Sequence, residues 1–234
     1  YNPNFNIMNF SKLLLLCLFT TLSYAQYDVT TIGNPETLNN TGLWIINKPT
    51  SNKIIKGSPL VFSDIESSKF ILKPKNSSKL YSFINGNYNS QTDQIVVKMS
   101  IDSVFSFDSN KIDYAIFNDL KMKRFSANTI PDRFYLFLTE GINYTLFKSY
   151  YSRITKGRVN PMTLVKVKPD KLEIFSKYFI SINGADPIEF KLKKNTILKL
   201  LSERRDEVSS YASENRLSFS KEKDIIKIFQ NFNK

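Results

Sequence analysis

From residue 43 onward the apolar positions fall in short β-branched or aromatic runs, separated by Pro, Gly, Ser and Asn. That pattern predicts strands. Runs at 43–47 (LWIIN), 60–65 (LVFSDI) and 69–73 (KFILK) predict three of them. KLYSFIN and QIVVKMS flank GNYNSQTD and predict a hairpin with a loop of about eight residues. In IDSVFSFD, Phe105 and Phe107 share one strand face, and IDYAIFN follows after a turn at Asp108, Ser109 and Asn110.

The densest apolar stretch is FYLFLTEGINYTLFKSYYSR, residues 134–153, with eleven aromatic or large aliphatic side chains around one glycine. Alternation puts Phe134, Leu136 and Leu138 on one face of a strand and Tyr135 and Phe137 on the other. Residues 139–142 form the expected turn, with Gly141 free to adopt a positive φ. The return strand alternates through Tyr144 and Leu146 towards Tyr150 and Tyr151. Because both faces are apolar, the hairpin is expected at the centre of a sheet covered on two sides. An exposed aromatic platform for sugars or bases is the competing reading. A membrane-crossing hairpin is disfavoured, since few other strands show the alternation it needs.

A further hairpin is expected from LEIFSKYFISIN (172–183) and PIEFKLK (187–193), turning on Asn183 and Gly184. Between these two hairpins, SRITKGRVNPMTLVKVKPD predicts a mobile basic loop, broken by Gly157, Pro161 and Pro169. From Asn195 the period changes to that of helices. Ile197, Leu198 and Leu201, then Val208, Tyr211 and Ala212, then Ile225, Ile226, Phe229 and Phe232 form three apolar stripes. They predict three short helices covering the sheet, the last with Ser220 as N-cap and Glu222 and Asp224 in its first turn.

The N-terminus changes the picture from fold to destination. From Met8 the chain reads MNFSKLLLLCLFTTLSYAQ: one Lys, a mostly apolar run over 13–22, then small residues at Ser23 and Ala25. This is the plan of a secretory signal peptide, with cleavage expected after Ala25. The run is shorter than the roughly 20 residues that a spanning helix needs. Residues 1–7 read as an upstream extension. Cys17 is preceded by Leu16 rather than a small residue, and the apolar run continues past it, so lipidation there is not expected.

The 209 residues after Ala25 contain no Cys and no His. No disulfide can staple them, and Cys- or His-based zinc sites and imidazole-dependent triads are excluded. With Lys12 removed, 32 Lys and Arg oppose 21 Asp and Glu, a formal charge of +11. Such a surplus attracts polyanions, but the charges look scattered, and the tightest run is KLKK at 191–194. A specific nucleic-acid partner is not expected. Nor is a transmembrane helix in the mature chain.

Four segments resemble, in order and spacing, a family of uncharacterised small exported proteins of Bacteroidota. They are GSPLVFSDI, YNSQTDQIVV, FYLFLTEGINYTLFKSY and the ending from NTILKLL through EVSSYASENRLSFSKEKDIIKIFQNFN. The resemblance spans 57–233. It implies export and an intact fold, and transfers no catalytic residue. Gly57, Pro59, Asp93 and Gly141 are read as positions that turns demand.

The expected fold class is α+β. A mostly antiparallel sheet of hairpins, a meander that curves or forms a partial barrel, carries about three short C-terminal helices. The expected divisions are an extension plus signal peptide (1–25), a polar lead-in (26–42), a β-rich domain (43–194) and a helical segment packed on the sheet (195–234). No catalytic, cofactor-binding or metal residue is assigned; DSNKIDY and NGAD offer hard oxygen ligands but lack the Gly and Glu of a calcium loop. The expected function is a non-catalytic binding or structural module of the cell envelope, with an envelope protein or an anionic surface polymer as partner. Tyr81, Tyr88, Tyr144, Tyr150 and Tyr151 could supply contact area. The alternative is a carbohydrate hydrolase using two carboxylates, drawn from Asp93, Asp102, Asp113, Asp119, Asp132 and Glu140.

Overall fold

The structure, a computed structural model, describes residues 29–31, 35, 38, 41–46, 55–62, 69–100 and 103–233. The expected signal peptide, with Cys17, lies outside the described residues, as does the candidate Asp102. Among the described residues, fourteen strands are followed by three α-helices. The strands are β1 (Val29–Thr31), β2 (Gly42–Ile46), β3 (Ile55–Lys56), β4 (Phe70–Pro74), β5 (Leu80–Phe83), β6 (Gly86–Asn89) and β7 (Gln94–Lys98). They continue with β8 (Ser103–Phe107), β9 (Ile112–Phe117), β10 (Leu120–Ala127), β11 (Ile130–Thr139), β12 (Tyr144–Thr155), β13 (Asp170–Ile182) and β14 (Ile188–Phe190). The helices are α1 (Lys194–Leu200), α2 (Arg205–Glu214) and α3 (Glu222–Phe232).

The strands form two sheets. The larger runs β1-β5-β4-β9-β10-β11-β12-β13-β14, with β3 also on β13, and the smaller runs β2-β8-β7-β6. The pairings of these strands are antiparallel except β1 with β5 and β3 with β13. The large sheet does not close, so the chain is a mostly antiparallel α+β fold with an open sheet. No helix among the described residues is long and apolar enough to cross a membrane.

One face of the large sheet carries Phe70, Leu72, Phe117, Phe134, Leu136, Leu138, Leu146 and Ile180, which form one cluster with residues of both covering layers. The small sheet covers the β4–β5 side, where Phe107 meets Phe70 and Phe83 at ring distances of 6.3 and 5.5 Å. The helices cover the β11–β13 side through Ile197, Val208, Ile225, Ile228, Phe229 and Phe232. The opposite face has its own small cluster of Ile130, Tyr135, Phe147 and Phe179, with Phe125 and Phe137 packed on it. A bulge in β10 between Phe125 and Ala127 bends that edge. The β10–β11 turn then reaches the β13–β14 turn, where Asn128 donates to Asp186 and the Thr129 hydroxyl to the Pro187 carbonyl. Both faces of the 134–147 hairpin are therefore buried, as its two-sided apolar pattern predicts.

Other expectations are corrected. The segment GNYNSQTD is not a loop: its first half continues strand β6, which pairs with β7 across a tight turn at 90–93. The strand before it, β5, belongs to the other sheet, because the chain switches layers at Ile84 and Asn85, with Asn85 at φ 57°. The predicted strand at 60–65 is reduced to a single bridge from Leu60 to Asn89, and 63–65 lie outside the described residues. Strand β10 is absent from the sequence expectations. Its inward residues Leu120 and Met122 are flanked by Lys121, Lys123 and Arg124, so hydropathy does not mark it. Gly141 does not take a positive φ. Its missing side chain instead admits Asn233, which a Cβ would meet at 2.3 Å; the Asn233 amide exchanges two hydrogen bonds with the Tyr144 backbone. Ser220 does not cap α3; Lys221 holds the N-cap position with no side-chain bond, and Asp224 accepts from the Ser218 amide instead. The Asn183–Gly184 turn forms as expected, both residues at positive φ.

Candidate binding surface

Three constellations of polar and aromatic side chains stand out, and two of them are tied down by the fold. The first is centred on Asp93, at the β6–β7 turn with φ 56°. Its Oδ1 accepts from the Tyr88 hydroxyl at 2.7 Å and the Phe134 amide at 3.1 Å, and its Oδ2 accepts from Arg124 at 3.0 Å. Arg124 also holds Asp132, and Arg133 donates to Tyr88 and to the Tyr150 carbonyl. The carboxylate thus locks the small sheet onto β10 and β11. Burial, and then the Asp93 charge, push the Tyr88 phenol far above its ordinary range.

The second centre is Lys148. It meets Glu222 at 2.7 Å, while the Tyr178 hydroxyl donates to the same carboxylate oxygen at 2.6 Å. The ammonium also lies over the rings of Tyr150 (4.7 Å) and Tyr178 (5.4 Å). Burial works against the charge of Lys148, but the Glu222 hydrogen bond and the surrounding phenols outweigh it, holding the group charged well above its usual range. This cluster fastens the first turn of α3 to β12 and β13.

The third is the far end of β12 and β13, a ribbon whose β13 edge also carries the two-residue β3 at Asp170 and Lys171. Register pairs Tyr151 with Phe175 and Arg153 with Glu173. The Tyr151 and Phe175 rings stack at 5.5 Å, with Arg133 over Tyr151 at 4.0 Å and Arg153 over Phe175 at 5.5 Å. Beside this stack lies an open hollow of about 470 Å³, lined among others by Leu60, Tyr150, Arg153, Glu173 and Phe175.

Beyond Thr155 the segment predicted as a mobile basic loop is folded into a hairpin extension. Val159 bridges Lys166, and the Val167 and Lys168 amides donate to the Arg158 carbonyl. At its root, Asp170 accepts from the Gly157 amide and pairs with Lys166, both at 2.7 Å. The 14 residues 156–169 hold Lys156, Arg158, Lys166 and Lys168 and no carboxylate, one third of the chain's +12 surplus. This is a second basic stretch beside the tighter run at 191–194, and here the cations sit next to exposed apolar groups.

Of the candidate hydrolytic carboxylates the fold brings Asp93 and Asp132 together on Arg124 and leaves the other described ones apart. Asp113 pairs with Lys73, Glu140 with Lys121, Asp132 and Asp93 with Arg124, and Asp119 occupies a tight turn at φ 64°. None of the described ones lines the 470 Å³ hollow, nor a second of about 440 Å³ beside Gly42 and Lys111; each hollow has one carboxylate, Glu173 or Asp108. Among the described residues no group of three or more His, Cys, Asp or Glu is placed to hold a metal ion. Of the tyrosines offered as contact area, Tyr88 is fully buried, whereas Tyr151 stands half-buried on the ribbon. Sequence reasoning missed Phe175 and Arg153, because only the β12–β13 register brings them to Tyr151. No protein-family model, curated protein or solved structure matches the chain, so its functional reading rests on this geometry.

Proposed function

We propose that the protein is an exported, non-catalytic binding module of the cell envelope whose contact surface is the β12–β13 ribbon. The observation that carries the reading is the concentration of cations and exposed apolar groups on a projecting hairpin. Export itself rests on the signal-peptide pattern before Ala25, and the likeness to exported Bacteroidota proteins supports the same destination. The periplasm, the outer-membrane surface and the medium all fit that pattern.

A two-carboxylate hydrolase needs its acid and its base or nucleophile about 5 to 9.5 Å apart across a substrate cleft. The described candidates are instead paired with a cation or set in a turn, Asp93 and Asp132 sharing the Arg124 guanidinium away from both hollows, and each hollow offers a single carboxylate. This favours binding over hydrolysis. Basic groups on an open hairpin suit an anionic surface component, because they remain solvated until contact and then act within a Debye length of about 8 Å.

The test is co-sedimentation of the protein with isolated cell envelopes across a salt series. Binding that weakens steeply with salt supports an anionic partner. Binding that is indifferent to salt redirects the reading to a protein or apolar partner, and absence of binding at low salt sinks it.

A further inference from the structure

The turn of the ribbon combines two features that folding does not require of it. The first is apolar exposure at its outermost point. Met162 is 92% exposed, Leu164 79%, Val165 60% and Val167 56%. The turn is shaped by other groups. The Asn160 side chain accepts from the amides of Met162 (2.9 Å) and Thr163 (3.4 Å), and its backbone exchanges bonds with Val165 and Leu164. Leu164 even sits at φ 54°, where Gly or Asn is easier. Its side chain therefore adds no packing and no turn geometry, yet it is large and apolar.

The second feature is the order of groups along the ribbon. Pro161, Met162 and Leu164 lead. Lys166 stands one ladder step behind, Arg158 and Lys168 next, and Lys156 behind them. At no more than about 3.3 Å per residue, Lys166 lies within about 7 Å of Leu164, Arg158 and Lys168 within about 13 Å of Met162 and Leu164, and Lys156 within about 20 Å of Met162. Amphipathic elements lying on membranes bury their apolar side about 5 to 10 Å into the boundary between headgroups and acyl chains. The nearer cations fall at about that depth, with Lys156 behind it. A polyanion such as nucleic acid would be met by charges placed foremost, whereas here aliphatic groups are foremost and would have no partner among phosphates.

We infer that the ribbon tip docks on an anionic lipid bilayer. Met162, Leu164 and Val165 enter the headgroup boundary, and Lys156, Arg158 and Lys168 lie against the phosphates, while Lys166 is held by Asp170 at the root. The inference deepens the binding reading above and rests on it. It names the partner as a lipid surface and divides the work: apolar groups anchor, and cations select negative charge.

The experiment uses the chain as recovered from the producing cell, so that whatever precedes residue 26 is common to every variant. Phosphatidylcholine vesicles with and without phosphatidylglycerol are the probe. The wild type should co-sediment with the anionic vesicles and far less with the neutral ones. Met162→Asp combined with Leu164→Asp should weaken the anionic binding by about tenfold or more for each anchor. Lys156→Glu combined with Lys168→Glu should weaken it by at least about fivefold for each charge removed. A third variant, Met162→Trp, should show a blue-shifted indole emission with anionic vesicles, and quenching by brominated acyl chains.

Tip variants that bind anionic vesicles as tightly as the wild type overturn the inference. So does an indole emission, in the Met162→Trp variant, that ignores vesicles to which the protein is bound. Binding to delipidated envelopes but not to vesicles overturns it too, leaves the binding reading standing, and makes the partner an acidic protein or polymer. Binding to neither ends both readings.

Discussion

Strand β12 runs through two environments. Near Tyr144 its side chains are buried on both faces: Leu146 points into the main core under α3, and Phe147 packs with Tyr135 and Phe179 on the other side. Near Thr155 the same strand has left both layers, and Ile154 is 47% exposed. The composition along the strand barely announces the change, since aromatic and β-branched residues continue past Tyr150. The surroundings make the difference. The buried half is enclosed by α3 and by the bend of β10–β11, and the free half is flanked by β13 with the short β3 beyond it. Apolar residues in the first half hold the fold together, whereas in the second they are available for contact.

The strongest way to break this contrast is to remove an anchor of the buried half. Phe134→Ala leaves a cavity in the main core, and a loss of about 4 kcal/mol is expected from denaturant unfolding. A loss no larger than that of a surface change would mean that the hairpin is not the core. Met162→Asp, in the free half, should change stability by less than about 0.5 kcal/mol in the same assay.

Next in size is the lock between the sheets. Asp93→Ala strands the Tyr88 hydroxyl and the Phe134 amide and leaves Arg124 to Asp132 alone, and should cost about 2 kcal/mol. If the unfolding midpoint does not move, Asp93 is a turn residue and nothing more, the role that its sequence neighbourhood alone suggests.

The buried phenols sharpen the comparison through pH. Burial raises Tyr88, Tyr135, Tyr150 and Tyr178 above their ordinary value. A group whose folded value is raised contributes stability that is present below its unfolded value and lost as pH rises towards the folded one. Stability should therefore fall above about pH 10, by about 1.4 kcal/mol per pH unit for each phenol still protonated in the fold. Tyr88→Phe should remove one such contribution and flatten the alkaline limb. An unchanged slope would place Tyr88 in contact with water.

The smallest effect on stability, and the largest separation of stability from binding, belongs to the ribbon cations. Lys156→Glu with Lys168→Glu should shift the unfolding free energy by no more than about 0.5 kcal/mol. The same pair should lower envelope binding markedly at low salt. A loss of stability as large as the loss of binding would show that the ribbon serves the fold.

Much of the fold was legible because local pattern and burial agree. Phe134, Leu136 and Leu138 alternate with Tyr135 and Phe137, and period two is enough to assign each set to a face. Ile197, Val208, Ile225 and Phe229 repeat at helical spacing, and the three helices followed. Legibility failed where a long-range partner overrides the local signal. GNYNSQTD is rich in turn residues, yet Tyr88 in its midst is fully buried because Asp93 and Arg133 satisfy its hydroxyl. Strand β10 is polar to the eye, and two of its basic residues, Lys121 and Arg124, answer carboxylates elsewhere in the fold. Of the candidate site, the run of four cations without an acid in 156–169 was visible in the sequence; its folded, projecting form was not.

By itself, then, the sequence determined the strand-then-helix order, the two-sided hairpin, and the absence of thiol and imidazole chemistry after residue 25. Each of these depends on residue type and near-neighbour spacing. Tertiary structure alone decided that β5 and β6 part into different sheets, that Asp93 joins them, and that Tyr151, Phe175, Arg153 and the basic turn share one ribbon. Those facts depend on strand register and layer packing, which bring together residues such as Tyr88 and Arg133 that lie far apart along the chain.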